Sequence, residues 1–280
     1  MEYMRLVRIH NCLIASITVA AGQYLSPSAC GLPLNKFAMA AAFFVCGFGN
    51  IVNDILDVES DRVNHPMRPI PSGAATIGGA KALAALFLIV SLGLACFLHT
   101  AGFIIVTVAL VILTLYNVRL KHTAFGGNLA VALLGGITFV FGGATAGFQG
   151  IIEIPGAIIP GVFAFLMHFV REVVKDVQDV SGDSAVGSGT GPVKTGVRKS
   201  LTLAYIVFGL LIITGIVAFR IGWFNLIFMS ISVFAIYLPG IVQFIWLGTT
   251  PDNQRSRIVS SLFKIEMLPG ILAVLMGKSY

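Results

Sequence analysis

"KFAMAAAFFVCGFGNIVNDILDVESD", residues 36–61, begins as an apolar run and ends in Asp54, Asp57, Glu59 and Asp61. About 20 apolar residues in sequence are the length of a bilayer-spanning helix. A carboxylate stranded at mid-bilayer costs about 2.5–3.5 kcal/mol even on a lenient insertion scale. The stretch therefore predicts a membrane helix whose end carries a concentration of acid that needs a chemical reason.

The rest of the chain sets the same frame. Its 280 residues are 57% hydrophobic and 11% charged, with mean hydropathy +0.93, whereas a soluble domain carries about 25% charged residues. Apolar runs at 6–25, 36–57, 80–99, 101–118, 128–148, 154–172, 200–219, 222–246 and 258–277 predict nine transmembrane helices in one all-α polytopic domain over residues 1–280. Arg5 and Arg8 before "CLIASITVAAG" (12–22) imitate a secretory signal, but Asn11 inside the 6–25 run points to a first membrane helix.

Alternating loops sort the basic residues. Arg5, Arg8, Arg62, Arg68, Lys81, Arg119, Lys121, Arg171, Lys175, Lys194, Arg198, Lys199, Arg255 and Arg257 fall on one side, and only Lys36, Arg220 and Lys278 on the other. The positive-inside rule then places the N-terminus and the long loops in the cytoplasm and the C-terminus outside. The net charge of +6 is thus a matter of topology, and nucleic acid is not an expected partner. Cys12, Cys46 and Cys96 lie in apolar runs and Cys30 in a short loop, so no disulfide framework or CxxC pair appears.

The acidic stretch has a twin. "DILDVESD" (54–61) and "DVQDVSGD" (176–183) both spell D-x-x-D-x-x-x-D, and each closes a membrane helix, the second and the sixth. That predicts an internal repeat, helices 2–5 and 6–9, behind one extra helix. Positions i, i+3 and i+7 share a face where a helix continues through them. Converging carboxylates repel unless cations lie between them. Oxygen ligands without nearby cysteine or clustered histidine suit a hard cation, and few carboxylates completed by phosphate oxygens are typical of Mg²⁺. Either run alone reads equally as a solvated helix end; the duplication on one membrane side argues against that. His10, His99 and His168 are isolated and carry no ligand spacing.

Cations interleave with the acids. In "RVNHPMRPIPSG" (62–73), Pro66, Pro69 and Pro71 oppose a continued helix and predict a structured loop bringing Arg62, His65 and Arg68 beside the aspartates. Arg68 suits bidentate phosphate recognition, with a salt bridge to one of the aspartates as the alternative. "REVVKD" (171–176) puts Arg171 and Lys175 on one helix face near Asp176, and "YNVRLKHTAFGGN" (116–128) adds Tyr116, Arg119, Lys121 and Asn128. Arg119 is best explained by the positive-inside rule. Gly126, Gly127, Gly135, Gly136, Gly142, Gly143 and Gly147 enrich the fifth apolar run and predict close helix packing.

These segments resemble the UbiA superfamily of intramembrane prenyltransferases. The likeness rests on N-D-x-x-D-x-x-x-D followed by R-x-N-x-P-x-R-P, on "REVVKDVQDVSGD", on the tyrosine–lysine loop and on the predicted helix count. It implies a helical bundle around a central cavity open to lipid, and Mg²⁺-dependent transfer of a polyprenyl group from its diphosphate to an acceptor. "REVVKD" is most similar to the branch that makes digeranylgeranylglyceryl phosphate, so a geranylgeranyl donor and geranylgeranylglyceryl phosphate are the expected substrates. An aromatic or chlorin acceptor is the alternative. A cation transporter is the rival of another class, and it predicts carboxylates nearer mid-helix.

On this resemblance Asp54, Asp57 and Asp61 hold one Mg²⁺ ion, Asp176, Asp179 and Asp183 a second, and Asn53 orients the first cluster. Arg68 and Lys175 stabilise the departing diphosphate, and Arg171 joins them in binding it. Tyr116 and Asn128 flank the allylic cation or the acceptor. Lys121, Arg119, Lys81, Arg5 and Arg8 remain for an acceptor phosphate. Two departures from the family pattern stand out: "GSGTGPVKTG" (187–196) is rich in glycine where the family tends to T-x-P-x-x-x-G, and Ile9 follows Arg8 where proline is common.

Overall fold

The structure, a computed structural model, describes residues 2–185 and 187–280. Among them the chain is helical, with one isolated bridge between Phe224 and Lys278. It divides into two compact units: residues 1–119 with 137–153, and residues 120–136 with 154–280.

The first unit holds α1 (Glu2–Val7), α2 (Ile9–Leu25), α3 (Lys36–Leu56), α4 (Val58–Asn64), α5 (Ile77–Ala95) and α6 (Thr100–Val118). It also takes the second half of α7 (Gly126–Gly143) and the short α8 (Gln149–Ile152). Asn35 caps α3 by accepting the Ala38 N–H at 3.0 Å, and Thr76 caps α5 by accepting the Gly79 N–H at 3.1 Å. α3 packs chiefly on α5 and α2, around Leu6, Val7, Ile51, Ala80, Ala84 and Phe87. Between membrane helices lipid is as apolar as leucine, so close contact of small residues supplies the attraction. Gly22 of α2 and Gly142 of α7 show this: a Cβ on Gly22 would strike the backbone of Phe139, and one on Gly142 the backbone of Val19 and Gln23. Here the glycines of α7 serve close packing, as the sequence predicts.

The second unit is built on α9 (Ile158–Ala185), which packs against α11 (Val197–Arg220) and α14 (Asn253–Met276). Val170, Val173, Val174 and Val177 of α9 form an i, i+3, i+4, i+7 stripe in one cluster with Leu201, Ala204 and Phe208 of α11 and Val259 and Phe263 of α14. Between α9 and α11 sits α10 (Gly191–Thr195). The glycine-rich stretch is thereby ordered: Thr190, Pro192 and Gly196 do fall in T-x-P-x-x-x-G spacing, Pro192 lies in the first turn of α10, and Gly196 ends it at φ 91°. One long helical run spans α12 (Leu226–Ser232), a π-helical turn at Val233–Tyr237 and α13 (Leu238–Thr249). Pro239 has no N–H to donate and its ring crowds the preceding turn, which the widened π turn accommodates.

Seven helices among the described residues are long and apolar enough to cross a membrane. They include Lys36–Leu56, Ile77–Ala95, Thr100–Val118, Val197–Arg220 and Asn253–Met276, and no more than 50% of any such span is buried. The outward faces carry Leu86, Ile89, Val108, Ile213, Val242 and Ile245, all exposed. So much apolar surface on a water-soluble chain would aggregate or bind; in a bilayer it meets lipid. The chain is therefore a multi-pass membrane protein. The two further segments expected to span, 6–25 and 154–172, differ from the seven for local reasons. The first is broken at Arg8 into α1 and the 17-residue α2, and the second lies in α9, which runs 28 residues and carries the acidic motif in its last turns.

Candidate active site

The first acidic segment lies in the first unit. Its three aspartates share one face only if a helix continues through them, and here the helix is interrupted: α3 ends at Leu56, α4 starts at Val58, and Asp57 stands between them at φ −93°, ψ 9°. The backbone ladder nevertheless carries across, since the Asp57 N–H donates to the Asn53 carbonyl at 2.9 Å and the Asp61 N–H to the Asp57 carbonyl at 2.8 Å. Asp54 and Asp61 are each 3% exposed, and Asp57 is half-buried.

Both buried carboxylates are met by arginine. Arg68 Nη1 donates to the two carboxylate oxygens of Asp61 at 2.7 and 2.5 Å and lies 3.6 Å from Asp54. Arg8 Nη2 reaches Asp54 Oδ1 at 2.5 Å. The salt bridge weighed for Arg68 in the sequence is formed. The proline-framed loop holds it there through backbone bonds from Arg68 to His65, Ser72 to Arg68 and Ala75 to Pro69, 2.8–3.0 Å long. Arg62 instead pairs with Glu59 at the surface. Asn53 Oδ1, on the residue before Asp54, is buried and has no hydrogen-bond partner.

The second segment lies in the second unit, where α9 continues unbroken to Ala185, so Asp176, Asp179 and Asp183 share a helix face. Asn128 is buried and donates through Nδ2 to Asp176 Oδ2 at 2.7 Å. Thr190 Oγ1 donates to Asp183 Oδ2 at 3.0 Å, and the Ser188 N–H to the Asp183 carbonyl at 2.8 Å. Arg171 and Lys175 flank a different acid: Arg171 pairs with the buried Glu172, and Lys175 Nζ stands 3.6 Å from its other oxygen. Glu172 thus fixes the two cations one turn before Asp176 and Asp179.

Tyr116 sits half-buried on the last turn of α6, and Lys121 half-buried in the 3₁₀ turn Leu120–His122. Arg119 and Lys81 are exposed. Of the cations assigned to an acceptor phosphate, Arg5 pairs with Glu2 at 2.8 Å and Arg8 with Asp54.

A buried carboxylate is tolerable only when paired and hydrogen-bonded, and in each unit arginine, amide or hydroxyl partners meet that demand. Among the described residues no three Asp, Glu, His or Cys side chains converge on a ready metal position. The chemistry of the donors still suits a hard cation, since carboxylates and the open Asn53 amide oxygen offer oxygen alone. Sequence reasoning missed Glu172 and Thr190, and it set Arg8 aside for an acceptor phosphate where the structure pairs it with Asp54. The spacing of Thr190, Pro192 and Gly196 was a signal available to find Thr190.

Residues 12–267 match the UbiA prenyltransferase family. The chain is 38% identical over 203 residues to digeranylgeranylglyceryl phosphate synthase of Methanoculleus marisnigri, 72% of this chain and 71% of that one. It is 34% identical over 279 residues to the Saccharolobus solfataricus enzyme of the same name, 99% of this chain and 96% of that one. A solved structure concerning digeranylgeranylglyceryl phosphate synthase in membranes superposes with TM-score 0.77 at 30% identity, over 99% of this chain and 97% of that one. A UbiA homologue from Archaeoglobus fulgidus bound to GPP and Mg²⁺ shares the fold, with TM-score 0.68 at 17% identity over 98% and 99%.

Proposed function

The chain belongs to the UbiA prenyltransferase family and is a prenyltransferase, and from that premise we propose that it transfers a geranylgeranyl group from geranylgeranyl diphosphate to the free hydroxyl of geranylgeranylglyceryl phosphate. The product is digeranylgeranylglyceryl phosphate. The observation that carries this choice is likeness along almost the whole chain to an enzyme of that name, at 34% identity.

The oxygen donors fit Mg²⁺, with Asp54, Asp57 and Asp61 as ligands of one ion and Asp176, Asp179 and Asp183 as ligands of a second. Bound there, Mg²⁺ supplies Lewis-acid stabilisation of the charge that grows on diphosphate as the allylic C–O bond breaks. Arg68 and Lys175 add hydrogen bonds to that leaving group, and Arg171 binds its oxygens. Asn53 orients the first triad, and Asn128 fixes the Asp176 carboxylate. Tyr116 flanks the allylic cation or the acceptor. Lys121 receives the acceptor phosphate. The acceptor hydroxyl attacks the allylic carbon, its proton leaves to solvent or to phosphate, and diphosphate departs.

The same reading has nine membrane crossings, with α2 and the first turns of α9 added to the seven apolar spans, and a repeat of helices 2–5 and 6–9 within one domain. The positive-inside bias supports a cytoplasmic N-terminus and cytoplasmic acidic motifs.

Radiolabelled geranylgeranyl diphosphate, incubated with the purified protein, Mg²⁺ and a panel of acceptors, tests the substrate choice. The glyceryl lipid phosphate should be prenylated, and Lys121→Ala should raise its KM more than that of the donor. Turnover of 4-hydroxybenzoate, homogentisate or a naphthoate, with none of the glyceryl lipid, would assign the chain an aromatic acceptor.

A further inference from the structure

Arg8 has φ 54° and ψ 59°, the one left-handed backbone among the described residues other than glycine. A bulky L residue keeps that conformation only where its surroundings over-determine it, and here they do. In a continuous helix the Val7 carbonyl would accept from the Asn11 N–H. The Asn11 N–H donates instead to the Arg8 carbonyl at 2.8 Å. The Val7 carbonyl accepts from Asn50 Nδ2 at 2.9 Å and from Cys12 Sγ at 3.2 Å. Leu6 and Val7 are buried in the first unit's core, which anchors α1 on its side of the break.

Asn50 and Asp54 are four residues apart on α3, hence on one helix face. That face therefore grips the break twice: Asn50 holds its backbone and Asp54 receives its guanidinium at 2.5 Å. Arg68 is the firmer of the two cations, contacting both oxygens of Asp61 from a braced loop. Arg8 makes a single bond to Asp54, and its side chain is 28% exposed.

We propose that Asn50 is a positioning residue: by bonding the Val7 carbonyl it holds the left-handed break that sets Arg8 on Asp54, and Arg8 there is a built-in counter-cation that gives way when the divalent ion binds. This rests on the Mg²⁺ role proposed for Asp54, Asp57 and Asp61. A guanidinium on Asp54 competes for the same oxygen and repels an incoming cation, so the two buried carboxylates of the metal-free cluster stay paired at the expense of metal affinity.

The test is an EPR titration of the purified full-length protein with Mn²⁺ as the probe and no prenyl donor, so that catalysis plays no part in the readout. Wild type should bind Mn²⁺ saturably and Asp57→Asn should lose a site. Arg8→Gln, and Arg8→Gly whose glycine keeps the left-handed backbone without strain, should bind about tenfold tighter, the scale of one charge-assisted hydrogen bond removed from competition. Asn50→Leu should tighten binding by the same factor, and Asn50→Leu combined with Arg8→Gln should add nothing further. Asn50→Ala replaces the leucine variant if that one does not fold. A lower melting temperature in the Asn50 variants with unchanged Mn²⁺ affinity, or additive effects in the double variant, would overturn the inference. Unchanged affinity in both Arg8 variants would do so while leaving the metal reading intact. No saturable Mn²⁺ binding to wild type would remove the metal reading and this inference together.

Discussion

Asn128→Ala isolates one contact of the second triad. In the folded protein Asn128 Nδ2 donates to Asp176 Oδ2 at 2.7 Å, and Asn128 is 4% exposed, so water does not readily replace the lost donor. Hydrogen bonds to charged groups contribute about 1.5–3 kcal/mol. At 1.36 kcal/mol per decade of rate, kcat/KM should fall about 10–150-fold if Asp176 must stay ionised and aimed through the transition state. Asn128→Asp is the sharper version. It sets a second carboxylate against the first, and at about 3 Å with an effective dielectric near 20 their repulsion is about 5 kcal/mol. That variant should be worse than alanine at low Mg²⁺ and recover part of the loss at high Mg²⁺, because a cation between the two acids relieves the repulsion. Initial rates with radiolabelled geranylgeranyl diphosphate over a Mg²⁺ series, beside thermal melts, give both numbers. A folded Asn128→Ala protein with wild-type kcat/KM, or an Asn128→Asp protein indifferent to Mg²⁺, would refute the role of this contact.

Asp57→Asn and Asp179→Asn should each abolish transfer in a folded protein, since each removes charge from the middle of a triad; full activity in either would sink the assignment of one ion to each. Lys175→Ala should raise the donor KM several-fold with a smaller change for the acceptor, and it frees Glu172 to pair with Arg171 alone; the reverse pattern of KM values would place Lys175 on the acceptor. Gly22→Ala should lower the melting temperature in detergent, because its Cβ would meet the Phe139 backbone, while the folded fraction keeps its activity. A melt identical to wild type would mean that α2 and α7 separate without cost.

What the sequence made legible follows from the range of each interaction. Membrane spans are local in the chain, so hydropathy alone located the seven apolar helices. The proline-framed loop was legible for the same reason, since Pro66, Pro69 and Pro71 restrict their own backbones, although α4 runs on to Asn64 before it begins. Helix ends were less so. The stop between Leu56 and Val58 leaves no proline or glycine as a mark, and α3 could have run on through Asp61 by pattern alone.

The partners of the acids lie beyond the reach of pattern. Glu59 finds Arg62 three residues away, a pairing that any helical wheel predicts, and it is exposed, where such pairs contribute little. Arg8 finds Asp54 across 46 residues and Asn128 finds Asp176 across 48. Nothing in the local sequence of Arg8 distinguishes it from Arg5, which settles on Glu2 at the surface. The difference is made by α3, whose Asn50 takes the Val7 carbonyl and leaves Arg8 in a conformation that no propensity would assign to arginine. Burial raises the stakes of such a contact, because a carboxylate withdrawn from water needs its partner where an exposed one does not. Arg8–Asp54 and Asn128–Asp176 were thus hidden by their sequence separation, whereas Arg68–Asp61, seven residues apart, was within reach of the sequence, and the duplicated aspartates were legible because the chain writes their spacing twice.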